Sequence, residues 1–368
     1  MQATNATKKD LISVVLPVFN GAKYLRTAVE SILNQSYSDF ELLVLDDAST
    51  DDTIAIIESY EDKRIRLLKA EKNEGIVARL NEGIRQAKGK YIARMDADDI
   101  SMPHRLERQI QFLQTHSMVA LVGSNAYLID EQNRQQRQAT QLPLSSESIQ
   151  VRLLFKTAFL HPSVMIRTEI VRSFLYDVDF QFIEDYELWL RMKEHLLANI
   201  EEPLLYYRFH ASNTHATKQQ QIKAAYRVLA KRTLENYQIP YTEESFHIHA
   251  LLGETSRFRD NIHSLPIAAV SGYIDQMIAW NKARAVFRTT IFEAEMLRLW
   301  KEFSLAISSQ LSWRKFMRLF FHPKTLRSTS TWDKIRMLYQ LLSKNSIVAR
   351  LYQLSRRLLL KNMTRSEN

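Results

Sequence analysis

The sequence predicts an α/β fold: a mostly parallel sheet with helices on both faces, followed by a helical C-terminal region. Three observations predict it. Short buried-type apolar runs alternate with helical periodicities through the first third of the chain. Five of the seven glycines (Gly21, Gly75, Gly83, Gly89 and Gly123) fall in that same third, where tight alternation needs turns and caps. Beyond residue 217 the pattern changes to long helical segments, broken at Pro240, Pro266 and Pro323.

The elements follow in order. Leu11–Leu16 is a continuous apolar run ending at Pro17, the signature of a strand buried on both faces. Ala22–Gln35 places Leu25, Val29, Ile32 and Leu33 on one helical face. Phe40–Leu45 is a second strand, closed by Asp46-Asp47, and Ser49 or Asp51 can cap the next helix, which carries Ile54, Ile56 and Ile57. Ile65–Leu68 reads as a strand, Ile76–Ala87 as a helix closed at Gly89, and Tyr91–Met95 as a buried strand. Pro103 suits the first turn of a helix running to Thr115. Val119–Val122 and Ala126–Ile129 read as two further strands. Ser163–Ile166 is expected as a strand after His161-Pro162, Glu184–Glu194 as a helix and Pro203–Phe209 as a strand. The expected division is a domain at 1–217 and a helical region at 218–368, with a basic amphipathic tail over 311–368.

Composition narrows the function. Of the 368 residues, 45% are hydrophobic and 25% charged, as in a globular protein, and no cysteine is present. Disulfides and thiolate metal sites are thereby excluded. Residues 1–10 are polar and unlike a signal peptide, so a cytoplasmic location is expected. The net charge of +9 is local: residues 311–368 hold thirteen basic and two acidic residues, and the remainder carries a net −2. A near-neutral body argues against a nucleic-acid-binding core.

Chemistry-bearing residues gather after strands. Met95-Asp96-Ala97-Asp98-Asp99 puts three carboxylates in four positions. Such a cluster repels itself, and a hard divalent cation, Mg²⁺ or Mn²⁺, offsets the repulsion by taking carboxylate oxygens as ligands. A solvated acidic turn is the alternative. Asp46 and Asp47 can accept hydrogen bonds from a nucleotide base or ribose, or can cap a helix. Glu184-Asp185 opens a helix, where the dipole favours carboxylates, and also suits a general base. His210 ends a strand, as a structural residue or a metal ligand. In a mostly parallel sheet, ligands bind at the carboxyl ends of the strands.

These pieces, in this order, resemble the inverting glycosyltransferases of family 2, which have the GT-A fold. The carrying residues are Leu16-Pro17-Val18-Phe19-Asn20, Asp46-Asp47-Ala48-Ser49-Thr50-Asp51, Asn73-Glu74-Gly75, Leu80-Asn81-Glu82-Gly83-Ile84 and Gly89–Asp99. Pro103–Glu107, Val122-Gly123-Ser124, His161–Arg167, Glu184–Arg191 and Tyr207-Arg208-Phe209-His210 complete the set over residues 12–210. The resemblance implies that Pro17, Phe19 and Asn20 border the nucleotide pocket, and that Asp46 or Asp47 contacts base or ribose. It implies that Asp96 and Asp98 form the D-x-D motif. Asp98 is then a metal ligand, Asp96 contacts ribose or metal, and His210 completes the metal site. Arg79 reaches base or phosphates. Asp185 becomes the catalytic base and Glu184 its supporting neighbour. The implied reaction moves a sugar from a nucleotide-diphospho-sugar, expected to be a UDP-sugar, to a hydroxyl of a glycan or lipid-linked acceptor in cell-surface polysaccharide biosynthesis. One departure stands out: the family's glycine before the E-D pair is missing from Val171–Asp177.

No resemblance covers 220–368. There, Ile335, Leu338, Tyr339 and Leu342 share one helical face, and Ile347, Leu351, Leu354 and Leu358 another, both flanked by basic residues. These stripes either pack on the body or make a peripheral contact with an anionic membrane at the cytoplasmic face. Two other functions compete with glycosyl transfer: a nucleotidyltransferase, and a catalytically weak membrane-associated scaffold of the same fold.

Overall fold

The computed structural model describes residues 10–210, 218–253, 262 and 264–342. By internal contacts the chain divides into two compact units, Met1–Ala225 and Tyr226–Asn368, just beyond the boundary expected at 217/218.

The first unit is built on one nine-stranded sheet. Its strands are β1 (Ile12–Val18), β2 (Phe40–Asp46), β3 (Ile65–Lys69), β4 (Tyr91–Arg94), β5 (Ile100–Ser101), β6 (Val119–Ile129), β7 (Gln135–Ala139), β8 (Met165–Arg167) and β9 (Leu196–Arg208). Its helices are α1 (Ala22–Leu33), α2 (Thr53–Glu58), α3 (Ile76–Gln86), α4 (Arg105–Thr115), α5 (Ser146–Leu153), α6 (Thr168–Phe174) and α7 (Glu184–Arg191). The strand order is β3-β2-β1-β4-β8-β6-β9-β5, with β7 paired to β6. The β3-β2-β1-β4 half is parallel throughout, as the strand–helix alternation predicts. The other half is mixed: β8 is antiparallel to both β4 and β6, while β6 and β9 are parallel.

Period-two alternation explains why both faces are covered. Ile12, Val14, Leu16 and Val18 of β1 share a core with Leu25, Val29 and Ile32 of α1 and Leu106, Ile110 and Leu113 of α4. Val15 points the other way, towards α3, where Gly83 lets that helix approach Val15 and Leu45.

Several local expectations are corrected. Val119–Ile129 is one strand rather than two, because Gly123, Ser124 and Asn125 stay paired to β9. Register irregularities on either side of Asn125 absorb the mismatch. Pro203 lies inside β9 opposite Asn125, at that irregularity, so the strand begins at Leu196. The helix after Glu184 accordingly stops at Arg191. Pro103 precedes α4, whose first residue is Arg105. His161–Ser163 forms a tight 3-10 turn, which delays β8 to Met165.

The second unit is helical, as expected: Glu243–Gly253, Ile267–Arg284, Thr289–Ile307, Trp313–Phe320, Pro323–Ser328 and Thr331–Leu342, entered from Gln219–Asn236. No helix among the described residues is long and apolar enough to cross a membrane. The stripe Ile347–Leu358 lies outside the described residues.

Candidate active site

All four residues of β4 are buried, including Arg94 at its carboxyl end. The chain leaves the sheet after Met95, whose N–H still donates to the Val15 carbonyl at 3.0 Å. This turn brings one oxygen from each of Asp96, Asp98 and Asp99 within 4.8 Å of the others.

Two strands supply the groups that hold this acidic cluster. From β4, the Arg94 guanidinium pairs with Asp96 at 2.5 Å. From β9, the Arg208 backbone N–H donates to Asp99 Oδ1 at 2.7 Å, and its guanidinium donates to the Asp98 and Asp130 carbonyls. His210, just past β9, places Nε2 2.8 Å from Asp98 Oδ2. Arg105, wholly buried, donates to the Arg94 carbonyl at 2.6 Å and to Gln109. Burial lowers the Arg105 pKa to about 9, so it stays charged at neutral pH. Burial and the charges of Asp96 and Asp98 push Asp99 well above the usual carboxylate range. Asp99 Oδ2 is buried without a hydrogen bond among the described residues. Clustered carboxylates with an unsatisfied buried oxygen fit a hard divalent cation, whose charge would reverse these shifts.

The second carboxylate pair opens α7. Glu184 is buried; one of its oxygens lacks a hydrogen bond among the described residues and the other lies 3.8 Å from His161 Nδ1. His161 Nε2 meets the Tyr176 hydroxyl at 2.8 Å. Burial, reinforced by the Asp185 charge, pushes Glu184 up to about 7. Burial also raises Asp185, which is half-buried and accepts a long hydrogen bond of 3.5 Å from the Thr157 hydroxyl. The Arg94 charge acts on Asp96, Asp99, Glu184 and Asp185 and further depresses His161, which burial alone already lowers. One buried guanidinium therefore serves both carboxylate groups.

The segment that lacks the glycine, Val171–Asp177, still contains one left-handed residue. Leu175, at the end of α6, takes φ 49°, a conformation that favours glycine. Arg191 of α7 donates to the Phe174 and Leu175 carbonyls at 2.7 and 2.6 Å, and buried Glu187 holds Arg191. The helix carrying Glu184-Asp185 thus clamps the strained turn in place.

At the ends of β1 and β2, Pro17 is buried and Phe19 is 51% exposed. Asn20 takes φ 50°; its N–H donates to Ser49 Oγ and its Oδ1 accepts from the Thr50 N–H, fastening the two loops together. Asp46 is fully buried and accepts from the Ser49 N–H through one oxygen. Both oxygens of Asp47 accept backbone N–H groups, from Glu74 and from Gly75, at 2.8 Å. Gly75 itself has φ 87°, and an added Cβ would collide with Gln181. Arg79 is held by Glu74, Glu82 and Asp47, and it lines a recess of about 720 Å³ beside the end of β3.

The family model described as "Glycosyl transferase family 2" matches residues 13–174. The Escherichia coli O-antigen biosynthesis glycosyltransferase WbnJ is 33% identical over 242 residues, covering 62% of this chain and 92% of that protein. The chain belongs to glycosyltransferase family 2. A second relative of this transferase, from Methanocaldococcus jannaschii, is 35% identical over 206 residues, covering 54% of this chain and 71% of that protein. Among solved structures, S. aureus TarS 1-349 in complex with UDP-GlcNAc superposes with a TM-score of 0.52 at 16% identity, covering 91% of each chain, a likeness of fold.

Arg94, Arg105, Arg208 and His161 of this transferase, which surround the two carboxylate groups, do not stand out in the sequence as site candidates. Each lies within one of its motifs, and the available signal is charge: Arg94 closes an apolar buried run next to three carboxylates.

Proposed function

We propose that this family 2 glycosyltransferase moves a sugar from a nucleotide-diphospho-sugar, UDP being the expected nucleotide, onto an acceptor hydroxyl with inversion at the anomeric carbon. The observation carrying this reading is the pair of carboxylate groups linked through buried Arg94, one shaped for a cation and the other for a proton.

Asp98 and Asp96, with His210 beside Asp98, are the groups that would hold Mn²⁺ or Mg²⁺, and Asp99, in the same cluster, is a further candidate. When bound, the cation supplies positive charge to the leaving diphosphate. Pro17, exposed Phe19 and Asn20 border the nucleotide, Asp46 or Asp47 meets base or ribose, and Arg79 lies beside Asp47. Asp185 takes the proton of the acceptor hydroxyl, whose oxygen attacks the anomeric carbon as the nucleotide diphosphate leaves from the opposite face. Glu184 holds its own proton up to about 7, so Asp185, the more exposed of the two, is the group free to act as base.

The acceptor proposed is a glycan or lipid-linked hydroxyl in cell-surface polysaccharide assembly, at the cytoplasmic face of the membrane. Resemblance to WbnJ, named for O-antigen biosynthesis, supports that class. The scaffold alternative draws on the missing glycine, and it is weakened because Leu175 still provides a positive φ in that turn. A thermal-shift screen of nucleotide sugars with and without Mn²⁺ tests the donor reading. A shift that requires both UDP-sugar and metal supports it, and metal-independent shifts with all nucleotides contradict it.

A further inference from the structure

Within the helical unit, several large apolar side chains face solvent: Trp313 is 57%, Phe321 59%, Trp332 61% and Ile335 38% exposed. Helix Trp313–Phe320 is anchored by buried Phe316 and Leu319. At about 100° per residue, the opposite face carries Arg314, Arg318 and Phe321, with Trp313 at its margin. Helix Thr331–Leu342 buries Met337 and is fastened by the Lys301–Asp333 ion pair at 2.8 Å. Its opposite face carries Trp332, Ile335 and Arg336. Two helices therefore present the same outward pattern, aromatic and aliphatic groups interleaved with arginine.

The segment that carries these two helices is strongly basic. Residues 311–342 hold seven basic residues (Arg314, Lys315, Arg318, Lys324, Arg327, Lys334 and Arg336) against Asp333 alone, a net +6. Lys324 is engaged by Asp275 at 2.8 Å. Arg314, Lys315, Arg318, Arg327 and Arg336 have no carboxylate partner among the described residues.

Helices Trp313–Phe320 and Thr331–Leu342 pack against each other, and we infer that their outward sides together dock on an anionic phospholipid surface. Unpaired arginines meet lipid phosphates, while Trp, Phe and Ile enter the boundary between headgroups and acyl chains. A second copy of the chain would bring two faces of like charge together, which disfavours self-association as the occupant. The inference extends the proposed membrane-face location by naming its surface, and it stands independently of donor and acceptor.

Full-length protein is mixed with vesicles of phosphatidylglycerol and phosphatidylcholine in equal parts, or of phosphatidylcholine alone. Binding is followed by co-sedimentation and by tryptophan emission. Of the five tryptophans, Trp189, Trp280 and Trp300 are buried, so a blue shift on binding reports Trp313 and Trp332. The expected result is a blue shift and strong partitioning with the anionic vesicles only, weakened by salt. Arg314→Gln/Arg318→Gln/Arg336→Gln should lower partitioning roughly 100-fold. Trp313→Ser/Phe321→Ser/Trp332→Ser should lower it by about tenfold or more, with the far-UV circular-dichroism spectrum of the folded protein retained because the buried anchors Phe316, Leu319 and Met337 are kept. Equal binding to neutral vesicles, or undiminished anionic binding by both triple variants, would overturn the inference. So would a dimer of the wild type that both variants abolish in the absence of lipid. Donor thermal shifts are recorded on the same samples, so failure of membrane docking is separable from failure of the transferase reading.

Discussion

Replacing Glu184 by glutamine should change the pH dependence of stability in a defined direction. Burial, with help from Asp185, holds Glu184 up to about 7 against an ordinary value of 4.5. Between those values the folded protein keeps a proton that the unfolded chain has released. Stability therefore falls as pH rises from 4.5 to 7 and stays reduced above it. At roughly 1.4 kcal/mol per pH unit, the burden on the wild type reaches about 3 kcal/mol. The glutamine side chain is neutral in both states and would carry none of it. The assay is denaturant unfolding of both proteins at pH 5 and pH 8.5, in chelator so that no cation alters the nearby charges. Packing changes caused by the amide are common to both pH values and cancel in the comparison. The stability of Glu184→Gln relative to wild type should improve by about 3 kcal/mol at the higher pH. Parallel pH profiles would refute the assignment of Glu184 as a buried, proton-holding neighbour.

Two further predictions follow from the same region. Leu175 takes φ 49°, so Leu175→Gly should be more stable than Leu175→Ala by about 1 kcal/mol, the reverse of the order in ordinary helical or strand backbone; the Ala variant proving more stable in thermal melts would contradict the strain assigned there. Arg94→Met removes the buried cation shared by both carboxylate groups and should destabilise the protein by about 3 kcal/mol. Mn²⁺ should restore part of that loss, because it offsets the same repulsion at Asp96, Asp98 and Asp99; equal losses with and without Mn²⁺ in calorimetry would remove the link.

Much of this architecture was legible because the parallel half of the sheet is encoded locally. Each strand there is a short apolar run, and each carboxylate follows one directly, so Asp46, Asp47 and Asp96–Asp99 could be placed at strand ends from the sequence. The mixed half was harder to read. β6 and β9 contain Asn125 and Pro203, which normally end strands, and only their mutual pairing across an irregularity keeps both strands continuous. Leu175 was illegible for a related reason: its positive φ is imposed by Arg191 and Glu187 from a different helix, and no local pattern reports such a clamp. The roles of Arg94 and Arg105 likewise arise only when β4, α4 and the acidic turn come together.

In the proposed reaction Asp185 removes the acceptor proton while the Asp96–Asp99 cluster serves the donor. The most direct measurement is nucleotide diphosphate release from the donor found by thermal shift, for wild type and Asp185→Asn, alongside donor affinity and the anomeric configuration of the product. Donor affinity should be unchanged, the rate should fall by roughly 100-fold or more, and the wild-type product should be inverted. A near-normal rate in Asp185→Asn would remove Asp185 as the base, and a retained anomer from the wild type would exclude single displacement.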